Sequence, residues 1–255
     1  MKKKLSSLVL FIVTFSVFTL VFPVNAQNDK ELPKGLEDKG PLTKVLFIHH
    51  KKGHAKPPWA GNGGNDKDKT SACYQFLAKG AKWKSTEPYE VNPTNFDNLD
   101  EDFVMDAIAS GVNEWETYGG DIFDDGIVNY DAQYDSSRVD GMNTVSFGKY
   151  PKENVIAVTA VWGYFSGPPR TREIVEWDML FNESSSWQWG DATINPGLMD
   201  LQNIATHELG HSAGMGDLYE SSCMEETMYG YSNTNDIIKR DLNNGDIFGI
   251  QKLYH

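Results

Sequence analysis

Residues 207–217 read His-Glu-Leu-Gly-His-Ser-Ala-Gly-Met-Gly-Asp, and this stretch decides the fold. His207 and His211 are four apart, so on a helix both imidazoles leave the same face one turn from each other. Two neutral imidazoles so placed can share one zinc ion. Glu208 sits beside the first of them, able to reach water at such an ion without binding it. Leu201, Ala205, Leu209 and Ala213 form an apolar stripe on roughly the opposite face. A helix over 199–213 therefore has one side for a core and one for a metal. Gly214 suits a left-handed helix end. Such an end turns the chain back and positions Asp217 as a third ligand. Three protein ligands leave a coordination position for water, the arrangement of a catalytic rather than a structural site.

The elements around this helix set the fold class. Apolar residues recur at helical spacing over 101–117, at Phe103, Val104, Ala107, Ile108, Val112 and Trp115, and Gly119-Gly120 stops that helix. Residues 89–91, 144–147, 155–162 and 174–181 read as strands. A third helix is expected over 246–254, with Ile247, Ile250 and Leu253 on one face and Asn244 as its cap. A helix, then strands, then helices indicate α+β rather than a regular alternation. No internal repeat is present.

His207-Glu208-x-x-His211-x-x-Gly214-x-x-Asp217 resembles the metzincin zinc-peptidase signature, with Asp in place of the usual third His. Thr227-Met228-Tyr229-Gly230-Tyr231 follows where metzincins have their Met-turn. Residues 240–254 are similar to the closing helix of matrixin catalytic domains. Residues 155–165, 174–182 and 101–117 are similar to the matrixin edge strand, the next strand and the first helix. The likeness covers about 81–255 and implies a matrixin-like domain: a twisted, mostly parallel sheet with an antiparallel edge strand and three helices. It implies His207, His211 and Asp217 as ligands of one catalytic zinc ion, Glu208 as general base, and Met228 as a structural residue beneath the metal. Tyr231 is then either an oxyanion stabiliser or, the favoured reading, a pocket wall. An extended peptide substrate would pair with residues 157–162, and 229–235 would wall the S1′ pocket. The aspartate ligand resembles that of snapalysin-type secreted proteases. The matrixin propeptide motif with its zinc-blocking cysteine is absent, as is the histidine set of a second, structural zinc. The competing reading is a non-catalytic surface or binding module that keeps the metal site, against which Glu208 argues, since a structural site has no use for a base.

The rest of the chain bounds location and partners. Of 255 residues, 40% are hydrophobic and 12% aromatic, so a core can form. Lys2-Lys3-Lys4, an apolar run over 5–24 and Val24-Asn25-Ala26 read as a signal peptide over 1–26, cut after Ala26. A secreted protein is expected, with an uncleaved membrane anchor as the alternative. Without that segment 20 basic residues face 36 acidic ones, a charge of −16. That field opposes nucleic-acid binding. The expected partner is a protein or peptide substrate of a monomeric enzyme.

Residues 27–80 read as an N-terminal extension, a propeptide or a linker, with 45–48 a short strand or docking peptide and 51–70 rich in Gly, Pro and Lys. His49, His50 and His54 fall within it, and the adjacent Lys51 and Lys52 favour a solvated loop there over a cation site. Cys73 and Cys223 form either a disulfide, the expectation for an even pair in an exported chain, or a switch in which Cys73 caps the zinc. Asp121, Asp124, Asp125, Asp131, Asp135 and Asp140 make an acidic loop that either binds calcium or is simply solvated.

Overall fold

Strand burial on both faces organises the sheet. The computed structural model describes residues 39–53 and 73–255, which lie in one compact unit. Residues 1–26, expected to be a signal peptide, and His54 fall outside the described residues. In chain order the strands are β1 (Leu42–Lys51), β2 (Glu90–Val91), β3 (Ile127–Val128), β4 (Thr144–Gly148), β5 (Val155–Tyr164), β6 (Glu173–Asn182), β7 (Trp189–Gly190), β8 (Met199–Asp200) and β9 (Tyr231–Ser232). The helices are α1 (Glu101–Gly119), α2 (Leu201–Ser212) and α3 (Asn244–Tyr254).

Seven strands form one sheet in the order β3-β2-β4-β6-β5-β1-β9, and β7 pairs with β8 separately. β3, β2, β4 and β6 are parallel, β5 is antiparallel to β6, and β1 is antiparallel to β5. This is the α+β architecture expected from the sequence: mostly parallel pairing, an antiparallel strand and three helices. β5, Val-Ile-Ala-Val-Thr-Ala-Val-Trp-Gly-Tyr, is buried at nine consecutive positions. Continuous burial of this kind marks a strand covered on both faces.

The helices pack by close approach. Gly111 lets α1 meet α2: a Cβ there would stand 2.8 Å from Leu209 Cδ1 and 3.2 Å from the Thr206 backbone. Trp115 Nε1 donates to Thr206 O at 2.7 Å across the same contact. α2 begins at the Asp200 cap, which accepts from Asn203 N, and Arg240 bonds Asp200 in turn. α3 starts two residues before the expected point, and Asn243 rather than Asn244 caps it. The reason is Asp246, which sits three residues after Asn243 and completes a reciprocal capping box.

Two expectations change. The segment 45–48 belongs to a ten-residue strand, β1, whose register runs from Leu42 opposite Tyr164 to His50 opposite Val155. Residues 157–162, expected to offer a free edge to substrate, are therefore already paired. Cys73 and Cys223 are joined as a disulfide, with Cα atoms 5.3 Å apart. No thiol is left among them to cap a metal.

Candidate metal centre

α2 delivers its histidines to the sheet and then stops at a defined turn. Gly214 adopts φ +106°, Gly214 N donates to His211 O at 3.0 Å, and Met215 N donates to Gly210 O at 2.8 Å. These are the two bonds of a Schellman end. A side chain at 214 would also meet Ala81 O at 2.7 Å. The turn carries Asp217 back over the helix, so that Oδ1 lies 3.3 Å from His207 Nε2 and 3.4 Å from His211 Nε2.

The other ring nitrogens fix the tautomers. His207 Nδ1 lies 2.7 Å from Thr227 O, and His211 Nδ1 lies 3.1 Å from Met215 O. A carbonyl only accepts, so each Nδ1 carries hydrogen and each Nε2 presents a lone pair when the ring is neutral. Burial, then the charge of Lys239, lowers the His207 pKa to about 3. Burial works against the Asp217 carboxylate, yet the charge of His211 and contact with both imidazoles hold its pKa well below the usual range. Burial likewise disfavours protonated His211, but Asp217 opposite it wins and raises its pKa.

His207 Nε2 and Asp217 Oδ1 are buried and make no hydrogen bond. Such a pair of lone pairs is costly unless a cation takes both. The donor set of two imidazole nitrogens and one carboxylate oxygen suits zinc. Among the described residues, two groups have His, Asp or Glu ligand atoms close enough to share a metal: His207 with His211 and Asp217, and His49 with His207 and Glu208. Neither includes the acidic loop residues. There Asp135 accepts from Ser137 and Arg138, and Asp140 accepts from Met142 N.

Glu208 is fully buried beside the ligands. Its Oε2 accepts from Thr159 Oγ1 at 2.5 Å, and its Oε1 lies 3.2 Å from His49 Nδ1. Burial raises its pKa to about 7. Met228 lies beneath the site, fully buried, and its backbone N donates to Asp246 of α3 at 3.2 Å. Leu218 N donates to Met228 O at 2.8 Å, tying the Asp217 loop to this turn. A family model described as Matrixin matches residues 82–255.

The chain belongs to the matrixin family. No curated protein matches it. As a matrixin it is a zinc metalloendopeptidase, and its substrates are proteins or peptides.

Around this matrixin's centre stand further residues, of which Tyr219, Thr159 and Lys239 were not singled out in the sequence. Tyr219 Oη donates to Asp217 Oδ2 at 3.0 Å, and its ring meets Tyr231 at 5.4 Å between centroids. Tyr231 lies in β9, half-buried, among Tyr219 and Tyr229. Tyr229, Tyr231 and residues 232–236 line a surface cavity of about 300 Å³ together with Lys52. His49 is not in a solvated loop: it is buried in β1, its ring 4.0 Å from that of His207. Phe47, two residues earlier, stacks on His211 at 3.7 Å. Thr159 had a visible signal, the only hydroxyl among the nine buried positions of β5. Lys239, fully buried with Nζ facing His49 and Tyr229 O, had none.

Proposed function

We propose that this matrixin is a secreted, monomeric endopeptidase in which Glu208 is the general base and His207, His211 and Asp217 hold the metal. The observation that carries this reading is the convergence of three ligand atoms on one point, with the Glu208 carboxylate beside them. Bound zinc supplies a Lewis acid that brings the pKa of water toward ~7 and polarises the scissile carbonyl. Glu208 accepts the proton of the attacking water and returns it to the leaving amine. Thr159 holds Oε2 and so orients the carboxylate with Oε1 toward the cleft. Tyr219 steadies Asp217 through its free oxygen. The substrate backbone pairs with β5 in the place that β1 takes in this structure, and side-chain pockets beside Tyr229 and Tyr231 set the preference.

Export is supported by the sequence of residues 1–26 and by the Cys73–Cys223 disulfide, a bond of oxidising compartments. Residues 27–80 act on this account as an extension of the catalytic domain that begins near residue 81. The test is cleavage of casein and of a quenched generic peptide by residues 27–255, with and without a chelator, beside Glu208→Ala. Loss of cleavage with chelator, and in Glu208→Ala at unchanged zinc content, is expected. Full activity in Glu208→Ala would remove Glu208 from the role of base.

A further inference from the structure

The carboxylate at the metal centre stands on a different footing from the two imidazoles. His207 and His211 are carried by α2, so helix geometry fixes their spacing. Asp217 lies on a loop, residues 214–223, between the end of α2 and Cys223. A group on a loop is held only as precisely as the loop itself. Here one short segment, 73–77, grips that loop at both ends, although it precedes the domain start near residue 81 expected from the sequence.

At the start of the loop the grip is backbone to backbone. Phe76 and Met215 form an antiparallel bridge, Leu77 N donates to Gly214 O at 2.8 Å, and Gly216 N donates to Gln75 O at 2.8 Å. The approach is close: a Cβ on Gly216, the residue before Asp217, would stand 3.2 Å from Phe76 O. At the far end the grip is covalent, from Cys73 to Cys223.

The segment can hold the loop because it is itself fixed to α3. A Cβ on Gly249 would stand 2.9 Å from Tyr74 Cβ, and one on Gly245 would run into Cys73 O. The Tyr74 ring packs on Phe248 at 5.3 Å between centroids, and its hydroxyl accepts from Lys252 Nζ at 2.7 Å. The same helix holds the turn at Met228, because Asp246 accepts from Thr227 N and Met228 N. Helix α3, residues 73–77 and the Asp217 loop are thus one packed unit.

We infer, on the assignment of His207, His211 and Asp217 as metal ligands, that residues 73–77 are a brace that positions Asp217 for the metal, with the Cys73–Cys223 disulfide as its covalent end. Without the brace the loop samples other conformations, and metal affinity falls with the fraction of time spent in the competent one. The histidines stay on their helix, so affinity is weakened and the site is kept. The working metal centre therefore reaches upstream of residue 81, to Cys73.

The experiment compares chain 27–255 with Cys73→Ser/Cys223→Ser and reads zinc affinity by competition with a chromophoric chelator. It is run where both chains are more than ~99% folded, so that a loss of global stability alone leaves the affinity unchanged. The affinity of the variant is expected to fall ~10-fold or more. In the metal-free variant the Gly216 amide should lose its protection from hydrogen exchange while the amides of β5 keep theirs. Equal affinity of the two folded chains overturns the brace and leaves the ligand assignment standing. A parent chain that binds no zinc overturns the ligand assignment, and the brace with it.

A double-mutant cycle separates positioning from general support. In Asp217→Ala, with two histidines left to bind, removal of the disulfide should change affinity less than ~3-fold. An effect as large as in the parent would show that the brace does not act through Asp217. If the double serine chain does not fold, Tyr74→Ala takes its place. It keeps the disulfide and frees the segment from Phe248 and Lys252. A fall in zinc affinity is expected there too, and unchanged affinity overturns the brace.

Discussion

Gly210 faces the sulfur of Met228 so closely that a Cβ on the glycine would stand 2.3 Å from Sδ. The same Cβ would lie 2.5 Å from Trp115 Cζ2, and that ring is pinned by its bond to Thr206 O. The glycine between the two histidines is therefore a packing requirement of the turn beneath the metal, not a helix preference, since glycine weakens helices. Gly210→Ala should destabilise the protein by about 1–3 kcal/mol, the usual cost of overpacking a filled core. Denaturant unfolding of the two chains measures it. A variant as stable as the parent would mean that Met228 and Trp115 shift without cost.

Tyr219 reaches the third ligand from outside. Its hydroxyl donates to Asp217 Oδ2 and leaves Oδ1 to face the two imidazoles. Residues that orient a ligand in this way commonly contribute 10–100-fold to metal affinity. Tyr219→Phe keeps the ring against Tyr231 and removes the hydroxyl that bonds Asp217. Zinc affinity, read by competition with a chromophoric chelator, should fall roughly 10-fold or more. Unchanged affinity would show that the carboxylate is held by its loop alone.

The metal helix was legible because its information is local. The spacing of His207 and His211, the glycine at 214 and the aspartate three residues on each follow from helix geometry. The strand β1 was not. Its apolar run, 45–48, is short, and Lys51, Lys52 and the Gly- and Pro-rich stretch beyond it suggest solvent. What buries His49 is a partner about a hundred residues away, the outer edge of β5. Lys239 was hidden for the same reason. A lysine in a polar turn is ordinarily exposed, and the groups that meet its ammonium here, the carbonyl of Tyr229 and the imidazole of His49, are distant in the pattern that the sequence shows. The cap of α3 slipped by one residue because Asp246, not helix propensity, chooses it.

The disulfide should be a large contributor to stability. Cys73 and Cys223 are 150 residues apart, and closing a loop of that length is worth on the order of 5 kcal/mol in the chain-entropy model. The bond ties the segment before Trp83 to the turn that precedes Met228. A Cys73→Ser/Cys223→Ser chain should melt about 10 °C below the parent. Reductant should bring the parent to the same midpoint and leave the variant unmoved. Equal melting temperatures would mean that the unfolded chain gains no freedom when the bond is absent.

Asp178 makes stability depend on pH in a direction unusual for a carboxylate. It is buried in β6, accepts from Thr144 Oγ1 and from Asp135 N, and burial pushes its pKa up to about 7. In the unfolded chain the same group titrates near ~3.9. Between these values the native state holds a proton that the unfolded state has lost. Stability from this group is therefore complete below about pH 4 and declines as pH rises toward 7, by up to ~1 kcal/mol per unit. Asp178→Asn keeps an acceptor for one donor and carries no titrating proton. The pH profile of unfolding free energy in the parent, less that in the variant, should slope downward from pH 4 to 7. A difference that is flat or rises across that window would show Asp178 to be ionised in the folded protein, its charge compensated by Thr144 and the Asp135 N–H.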